Sequence, residues 1–590
     1  MTEQQLDDWV SRLADEVIED ARKRDTKVVC ASGISPSGPI HLGNLREVMT
    51  PHLVADEVRR RGIECEHLIS WDDYDRFRKV PNGIAGVDSS WAEHIGKPLT
   101  AVPAPPGSSA ESWAAHFREQ CERSLAQLGV TYSSISQTQQ YTAGAYVDQI
   151  LFAMKHRDQI DKVLDQYRTL PAADQQQPKG QQKLDEDQAA AAAEAAEGSG
   201  AASEDDGSVG KEYYPYKPFC TVCNKDFTTV TAYDPETTQL SYDCGACGHT
   251  ETVELRTFNH GKLVWKVDWP MRWAYEKVLF EPSGVDHQSP GSSYVVGKEL
   301  APLFGWERPI GPMYAFVGIK GMAKMSSSKG GVPVAEDALQ IMEPALLRWL
   351  YARRKPNQAF DVAFDAEIQR MYDEWDALAR KVADSKGQAG DIASYTRASS
   401  TAAGELPSTP YPVAYRTLAS IVDITTGDED QTLRIVGQLD PDNPPASLDA
   451  LRPRLTCVEH WVATRMADED KTIVREIPDA AGLAAADQDA LRMLLDGNGA
   501  DLAKIEDVWT LDGLTHQIYG VPKVMQGKSA DFRPDRKAEP ELAASLGAAQ
   551  REFFKQVYNL LIGKDTGPRL PTLLLAVGPE KVRELLTPAG

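Results

Sequence analysis

The chain has 590 residues, 42% of them hydrophobic and 25% charged, and a net charge of −24. That length holds about three or four domains with ample core, and no apolar run approaches the ~20 residues that a membrane span requires. So acidic a body excludes nucleic-acid binding through overall charge, and any RNA-binding face must be a local basic patch.

The first residues carry no cationic and apolar leader, so a cytoplasmic protein is expected. Residues 3–24 read as an amphipathic helix, with Leu6, Trp9, Val10, Leu13, Val17 and Ala21 on one stripe. The apolar run 27–31 reads as a buried strand, and 45–61 as a helix stopped by Gly62. Between them lies Gly33-Ile34-Ser35-Pro36-Ser37-Gly38-Pro39-Ile40-His41-Leu42-Gly43-Asn44. A strand, a Gly/Ser/Pro loop and a helix start present free backbone N–H groups and the positive end of a helix dipole, a site suited to phosphate. His41 and Asn44 add side-chain donors one turn apart, and Gly43 leaves room for a ligand. The stretch matches neither G-x-G-x-x-G nor the P-loop pattern.

A second strand, 64–71, ends in Asp72-Asp73-Tyr74-Asp75-Arg76-Phe77-Arg78-Lys79-Val80-Pro81. Alternating strands and helices imply a parallel sheet, whose ligands sit at the carboxyl ends of strands. The His41 loop and the Asp72 cluster both occupy such ends. Residues 111–130 and 142–168 read as helical, the latter as an insertion between sheet halves. From 172 to 210 the composition turns to Gln, Ala, Glu, Asp, Gly and Ser, and disorder is expected. Residues 171–212 alone carry −7 of the net charge.

Four of the eight cysteines form Cys220-x2-Cys223 and Cys244-x2-Cys247, twenty residues apart and beside the turn residues Asn224, Gly245 and Gly248. Such spacing reads as a Cys₄ zinc ribbon whose closed coordination makes the metal structural. Cys30, Cys65, Cys121 and Cys457 lie in apolar settings and read as core. The chain is expected to return to the sheet at 263–273, to turn at 281–291 before a helix near Ser292, and to run as a strand over 311–319. That strand delivers Lys324-Met325-Ser326-Ser327-Ser328-Lys329-Gly330-Gly331, a mobile cationic loop suited to a triphosphate. Beyond 343 the patterns are helical: 343–354, 365–383, 411–425, 447–467, 487–496, 508–519, 539–562 and 577–587. A helical half of this kind suits gripping an elongated partner from the side.

The His41 and Lys324 stretches, in this order, resemble the paired signature motifs of class I aminoacyl-tRNA synthetases. Pro36-Ser37-Gly38 before His41-Leu42-Gly43-Asn44, Arg46-Glu47, the run from Trp71 to Pro81, Asp268-Trp269-Pro270-Met271-Arg272-Trp273 and Asp286-His287-Gln288-Ser289-Pro290-Gly291 narrow the resemblance to class I lysyl-tRNA synthetases. Ile562-Gly563-Lys564-Asp565-Thr566-Gly567-Pro568-Arg569-Leu570-Pro571 extends it to nearly the full length. The insertion at 172–210 departs from the family, as does Ser327, which stands where such enzymes commonly carry the second signature lysine; Lys329 is expected to supply that charge.

The resemblance implies an α/β fold: a Rossmann-like parallel-sheet catalytic domain with a zinc-ribbon insertion and an all-helical C-terminal anticodon-binding region. The expected limits are 1–110 and 261–342 for the two halves of the catalytic domain, 111–260 for the insertion with its ribbon at 214–256, and 343–590 for the helical region. It implies catalysis by His41, Asn44, Lys324 and Lys329. ATP contacts would come from Pro36, Ser37, Gly38, His41, Gly43, Asn44 and residues Lys324, Met325, Ser326, Ser327, Ser328 and Lys329. Lysine contacts would come from Gly33, Ser35, Asp72, Asp73, Trp265, His287 and Tyr314. Lysine's compact ammonium on an apolar stem requires acids and flat apolar walls, and Trp265, Trp269, Tyr314, Asp72, Asp73 and Asp286 are of those types. The resembling glutamyl enzymes would need a cationic pocket instead. The implied substrates and cofactors are ATP, Mg²⁺, structural Zn²⁺, lysine and tRNA(Lys), with acylation at the 2′-hydroxyl first and tRNA bound before activation. No membrane partner is expected, and the expected assembly is a monomer.

Overall fold

The computed structural model describes residues 6–168, 212–289, 291–320, 331–479, 483–535 and 537–588. The expected disordered segment at 172–210 and the whole stretch from Lys324 to Lys329 lie outside the described residues. The chain divides into two compact units: Met1–Leu339 with Pro344–Ala363 and Leu378–Pro407, and Gln340–Glu343 with Phe364–Ala377 and Ser408–Gly590.

In the first unit α1 (Trp9–Arg24) is followed by β1 (Val28–Ile34), α2 (Leu42–Arg60), β2 (Cys65–Trp71), α3 (Trp113–Gln127) and β3 (Ser133–Ser136). The three strands are parallel in the order β1-β2-β3, with Val28 opposite Cys65 and Leu68 opposite Ser133. Three short helices then leave the sheet, α4 (Gln137–Thr142), α5 (Val147–Lys155) and α6 (Arg157–Arg168), where one insertion was expected from 142 to 168. After the undescribed gap, β4 (Tyr216–Pro218) opens the ribbon, an antiparallel meander of β5 (Thr228–Tyr233), β6 (Gln239–Cys244) and β7 (Thr250–Glu254), and β8 (Gly261–Leu263) closes it by pairing with β4.

The return to the sheet comes later than the sequence suggests. Residues expected as strand at 263–273 form α7 (Trp265–Glu276), because Trp265, Trp269 and Trp273 recur every fourth residue and stack along one helical face. The sheet resumes at Phe280, which bridges Cys30 of β1 on one side and Ile310 on the other, both parallel. It continues into β9 (Ser283–Gly284), and after α8 (Ser293–Leu300) into β10 (Met313–Tyr314), its parallel partner. The expected strand over 311–319 is two: β11 (Val317–Ile319) pairs instead with β12 (Phe360–Val362). Ala315 marks the change of partner, its N–H donating to Pro356 O at 2.8 Å.

β1 is covered on both faces, by Val17, Ile18, Leu53 and Val54 on one and Trp269, Trp273 and Tyr294 on the other. A strand buried on both faces reads as continuous apolar sequence, as 28–31 does. Arg397, 1% exposed, joins Asp8 and Glu57 at 2.7 and 2.8 Å, fixing α1 to α2. Removing one partner of so buried a group would strand a charge at a cost of about 3–5 kcal/mol.

The second unit is helical. Its core gathers Leu491, Leu494, Leu514, Ile518, Val557, Leu561, Leu573 and Leu585. Beyond the helices expected from spacing, it holds Glu429–Gly437 and Leu570–Val577, both too short for a clear 3.6-residue period. Among the described residues no helix is long and apolar enough to cross a membrane.

Candidate active site

The loop between β1 and α2 is held from inside. His41 is the N-cap of α2: its Nδ1 accepts the Gly43 N–H at 3.1 Å, and Asn44 Oδ1 accepts the His41 N–H at 3.2 Å. A backbone N–H only donates, so Nδ1 is the acceptor and the ring proton resides on Nε2. The cap thus leaves the His41 ring proton on Nε2, and it uses the Asn44 side chain through its oxygen. At the helix start the expected free backbone donors are in use: Leu42 N–H donates to Pro333 O at 3.2 Å, and Gly43 and Asn44 N–H donate to His41. The helix dipole remains. Pro36 and Gly38 are buried and Ser37 is exposed. Trp113 Nε1 donates to Ser37 O at 3.0 Å and so anchors the loop from α3.

Lys324, Met325, Ser326, Ser327, Ser328 and Lys329 lie outside the described residues, but both ends of their segment are placed. β11 leads in, and on the way out Val334 bridges His41 in antiparallel fashion. Arg46, on α2 and buried, donates to Ala315 O at 3.1 Å, Gln358 O at 2.8 Å and Lys355 O at 2.8 Å. It ties the helix bearing His41 to the strands that deliver the second segment.

At the carboxyl ends of β1, β2 and the Phe280 strand, three carboxylates face one point. A Cβ placed on Gly33 would lie 3.8 Å from Asp72 Oδ2, 3.8 Å from Glu47 Oε1 and 3.9 Å from Glu281 Oε1. Asp72 and Glu47 each use their other oxygen on a protein donor: Asp72 Oδ1 accepts from Arg272 at 2.8 Å and Glu47 Oε2 from the Tyr314 hydroxyl at 3.1 Å. Glu281, 4% exposed, accepts from Trp269 Nε1 at 3.1 Å and Trp273 Nε1 at 2.5 Å. Burial pushes the Glu281 carboxyl up to about 7 and that of Asp72 to about 6, where the Arg272 charge holds it partly back. Burial also drives Glu47 well above the ordinary carboxylate range, reinforced by the negative charge of Glu281. Among the described residues, Arg272 is the cation bonded to one of these three carboxylates.

The sequence reading missed Glu47 and Glu281. Glu47 lies six residues after His41 on the same helix, and Glu281 is the first charged residue after the apolar run Val278-Leu279-Phe280. The signal was an acid at the end of a buried strand. Glu47 is also fixed through its backbone. Pro51 has no N–H for the Glu47 carbonyl one turn earlier, and the Ser32 hydroxyl donates to that carbonyl instead at 3.1 Å. With its only proton committed there, Ser32 Oγ accepts from His67 Nε2 at 3.0 Å. Burial lowers His67 to about 3, so it stays neutral and keeps this tautomer.

Aromatic rings wall the same region. Trp265 stacks on Trp269 with centroids 5.0 Å apart, His287 meets Trp269 edge-on at 5.6 Å, and Tyr314 reaches Glu47. Gly33, Asp72, His287 and Tyr314 are therefore gathered around Glu47, Glu281 and Trp269, and Trp265 neighbours both the Trp269 ring and the Arg272 guanidinium. Ser35 follows β1 directly. Asp73 is not brought into this group: its oxygens accept from Ser136 Oγ at 2.6 Å and Thr138 N–H at 2.8 Å, capping α4. Along the same strip, Tyr74 packs on Phe219 (5.0 Å) and Tyr141 (5.7 Å), and Asp75 pairs with Lys262 at 2.5 Å. Arg76 reaches Asp226 at 3.3 Å, and Phe77 meets Trp113 edge-on at 5.0 Å. These six consecutive residues join the pocket, α4, the ribbon and α3.

In the ribbon, the Sγ atoms of Cys220, Cys223, Cys244 and Cys247 lie within 4.8 Å of one another, two pairs at 3.6 Å. Thiolates about 2.3 Å from a tetrahedral zinc stand about 3.8 Å apart, so the four fit that metal. Each pair sits on a tight knuckle, with Asn224 N–H donating to Cys220 O at 2.8 Å and Gly248 N–H to Cys244 O at 2.9 Å. Asn224 and Gly248 take the positive φ these turns require, 56° and 76°.

The family described as tRNA synthetases class I (K) matches residues 7–402. A lysine–tRNA ligase of Streptomyces coelicolor is 63% identical over 588 residues, 98% of each chain. Lysine–tRNA ligases of Treponema pallidum and Thermococcus kodakarensis are 30% and 31% identical over 98% and 99% of each chain, respectively. Family match, full-length similarity and the site at the sheet's carboxyl edge agree: this chain belongs to the class I (K) family of tRNA synthetases.

Proposed function

We propose that this protein is a lysine–tRNA ligase: it joins lysine to ATP as lysyl-adenylate, releasing pyrophosphate, and passes the lysyl group to tRNA(Lys). The observation that carries the choice of amino acid is the set of three carboxylates turned toward Gly33, which suits an ammonium and repels a second carboxylate. Lysine would be held by Gly33, Ser35, Asp72, Trp265, His287 and Tyr314, with Glu47 and Glu281 added to them. Asp73 would act from behind by fixing α4.

No protein nucleophile is needed. The lysine carboxylate attacks the α-phosphate, and the protein positions the reactants and stabilises charge on the pentavalent phosphorus. His41 Nε2–H and Asn44 Nδ2–H would act from one side, Lys324 and Lys329 from the other, with Pro36, Ser37, Gly38, Gly43 and residues 325–328 lining the ATP. Magnesium would accompany ATP, and zinc on the four cysteines would hold the ribbon's shape. A helical unit for the tRNA body and a cytoplasmic location complete the proposal.

The test is ATP–pyrophosphate exchange and charging across amino acids with bulk tRNA present. Lysine is expected to be charged and glutamate not; glutamate charging above lysine would overturn the proposal. Lys324→Ala is expected to cost about 10²–10³ in kcat. Replacing 175–210 by a short Gly/Ser bridge is expected to leave kcat/KM for lysine within about threefold, since closing a long surface loop costs little. A loss beyond tenfold in folded protein would assign that segment a role in tRNA or substrate binding.

A further inference from the structure

Glu281 is surrounded by neutral donors and by acids. Both of its oxygens accept from indole N–H groups of α7, Trp269 and Trp273. Asp72 faces it from the end of β2 and Glu47 from α2, all three converging on Gly33. Asp286 and His287, in the turn after β9, lie beside the same group, His287 against Trp269. From β10 the Tyr314 hydroxyl is committed to Glu47, and from α8 the Tyr294 hydroxyl is committed to Pro309 O at 3.2 Å. Among the described residues the cation bonded to this group is Arg272, which donates to Asp72 at 2.8 Å and lies 3.5 Å from Asp268, itself 3.8 Å from Lys262. Arg272 pairs with Asp72 and acts on Glu281 only at longer range, and the Lys262 charge also acts on Asp72. Glu47 and Glu281 therefore face each other in a medium of low dielectric with neutral partners bonded to them. Like charges held together there do not both ionise.

We propose that Glu281 is a specificity-determining acid of this pocket, and that the ammonium of lysine enters in exchange for a proton that Glu281 and Glu47 hold while the pocket is empty. The inference rests on the lysine reading given above. The balance is simple: a carboxyl O–H breaks, its proton passes to solvent, and the resulting carboxylate accepts from the incoming ammonium. No other reactant takes part. The direction agrees with the raised Glu281 and Glu47 carboxyls, whereas the Arg272 charge beside Asp72 holds that carboxyl partly back. The exchange would favour a compact cation, since a neutral isostere of lysine cannot draw the proton out.

Two measurements test it. Titration calorimetry of lysine into the full-length protein at pH 7, in phosphate and in Tris, counts protons from the dependence on buffer ionisation heat. Release of about half a proton or more per lysine is expected. In charging assays the KM for lysine is expected to fall about five- to tenfold from pH 6 to pH 7.5, because binding then displaces a proton, while the KM for ATP stays flat. Glu281→Gln keeps the shape and carries no exchangeable charge, at the cost of one of the two indole acceptors. It is expected to raise the lysine KM about 10–100-fold at pH 7.5, as loss of a charged hydrogen bond does, and to flatten its pH profile. Trp273→Phe, which removes one indole donor and keeps the carboxyl, is the control and is expected to retain the pH dependence. Lysine that binds without proton release, or a Glu281→Gln profile as steep as that of the parent, would overturn the exchange while leaving the lysine reading intact. Failure of lysine to bind or be charged at any pH would overturn both.

Discussion

His41→Ala is expected to lower kcat about 10²–10³-fold, the usual loss when one preorganised donor to developing phosphate charge is removed. The geometry separates two jobs that this side chain performs at once. Nδ1 caps α2 by accepting from Gly43 N–H, and loss of such a cap costs about 1 kcal/mol of stability. Nε2–H is the donor proposed to meet the phosphate. His41→Asn distinguishes the two, because a short amide restores the cap acceptor but does not extend an N–H to the position of Nε2. Alanine is expected to lower both turnover and melting temperature, asparagine turnover alone. Single-turnover rates with saturating ATP, lysine and tRNA, beside thermal melts, decide it. Near-normal turnover in either variant would remove His41 from the chemistry.

The second large effect is expected at the ribbon. Metal analysis is expected to return about one zinc per chain, and Cys220→Ala with Cys247→Ala to abolish it. Apparent zinc binding in isolated fingers is worth about 10–16 kcal/mol. The ribbon's own apolar interior centres on Leu240 and Tyr242, with Val230 and Val253 only partly covered, too little to replace that. Amide exchange in 216–263 is expected to lose protection in the double variant while β1 and β2 keep theirs. Full zinc content in the variant, or unchanged protection, would refute the assignment. Because Asp226 and Lys262 hold Arg76 and Asp75, activity is also expected to fall without any substrate contact from the ribbon.

Much of this was legible in the sequence, and the physical reason differs from element to element. β1, α2 and β2 follow from an apolar run, a glycine-rich loop and a helical period, each a local signal. The four cysteines are legible because zinc demands fixed spacing. The run 263–273 was misread because three tryptophans look like strand residues by propensity, while their spacing of four is that of a helix. Glu47 and Glu281 were passed over because an acid in an ordinary helix or at a strand end is unremarkable in one dimension. Only the sheet brings them over Gly33. Asp73 was grouped with Asp72 by adjacency, yet successive residues leaving a strand point in opposite directions, and Asp73 goes to α4. The hidden acceptor left by Pro51 was readable in principle, but its partner Ser32 lies on another element.

The strip from Asp72 to Phe77 carries a consequence for how this protein can change over generations. Six neighbours in sequence answer to six partners in space, spread over the pocket, α4, the ribbon and α3. A substitution at any one of them removes a contact with another element, so changes at Asp75 and Lys262, or at Arg76 and Asp226, are expected to be coupled rather than additive. A change at the carboxyl end of β2 is thereby felt in the cysteine ribbon, and a change in the ribbon is felt at that strand end. The arrangement of the acids around Gly33 is protected less by the acids themselves than by the number of contacts that a change along this strip would disturb.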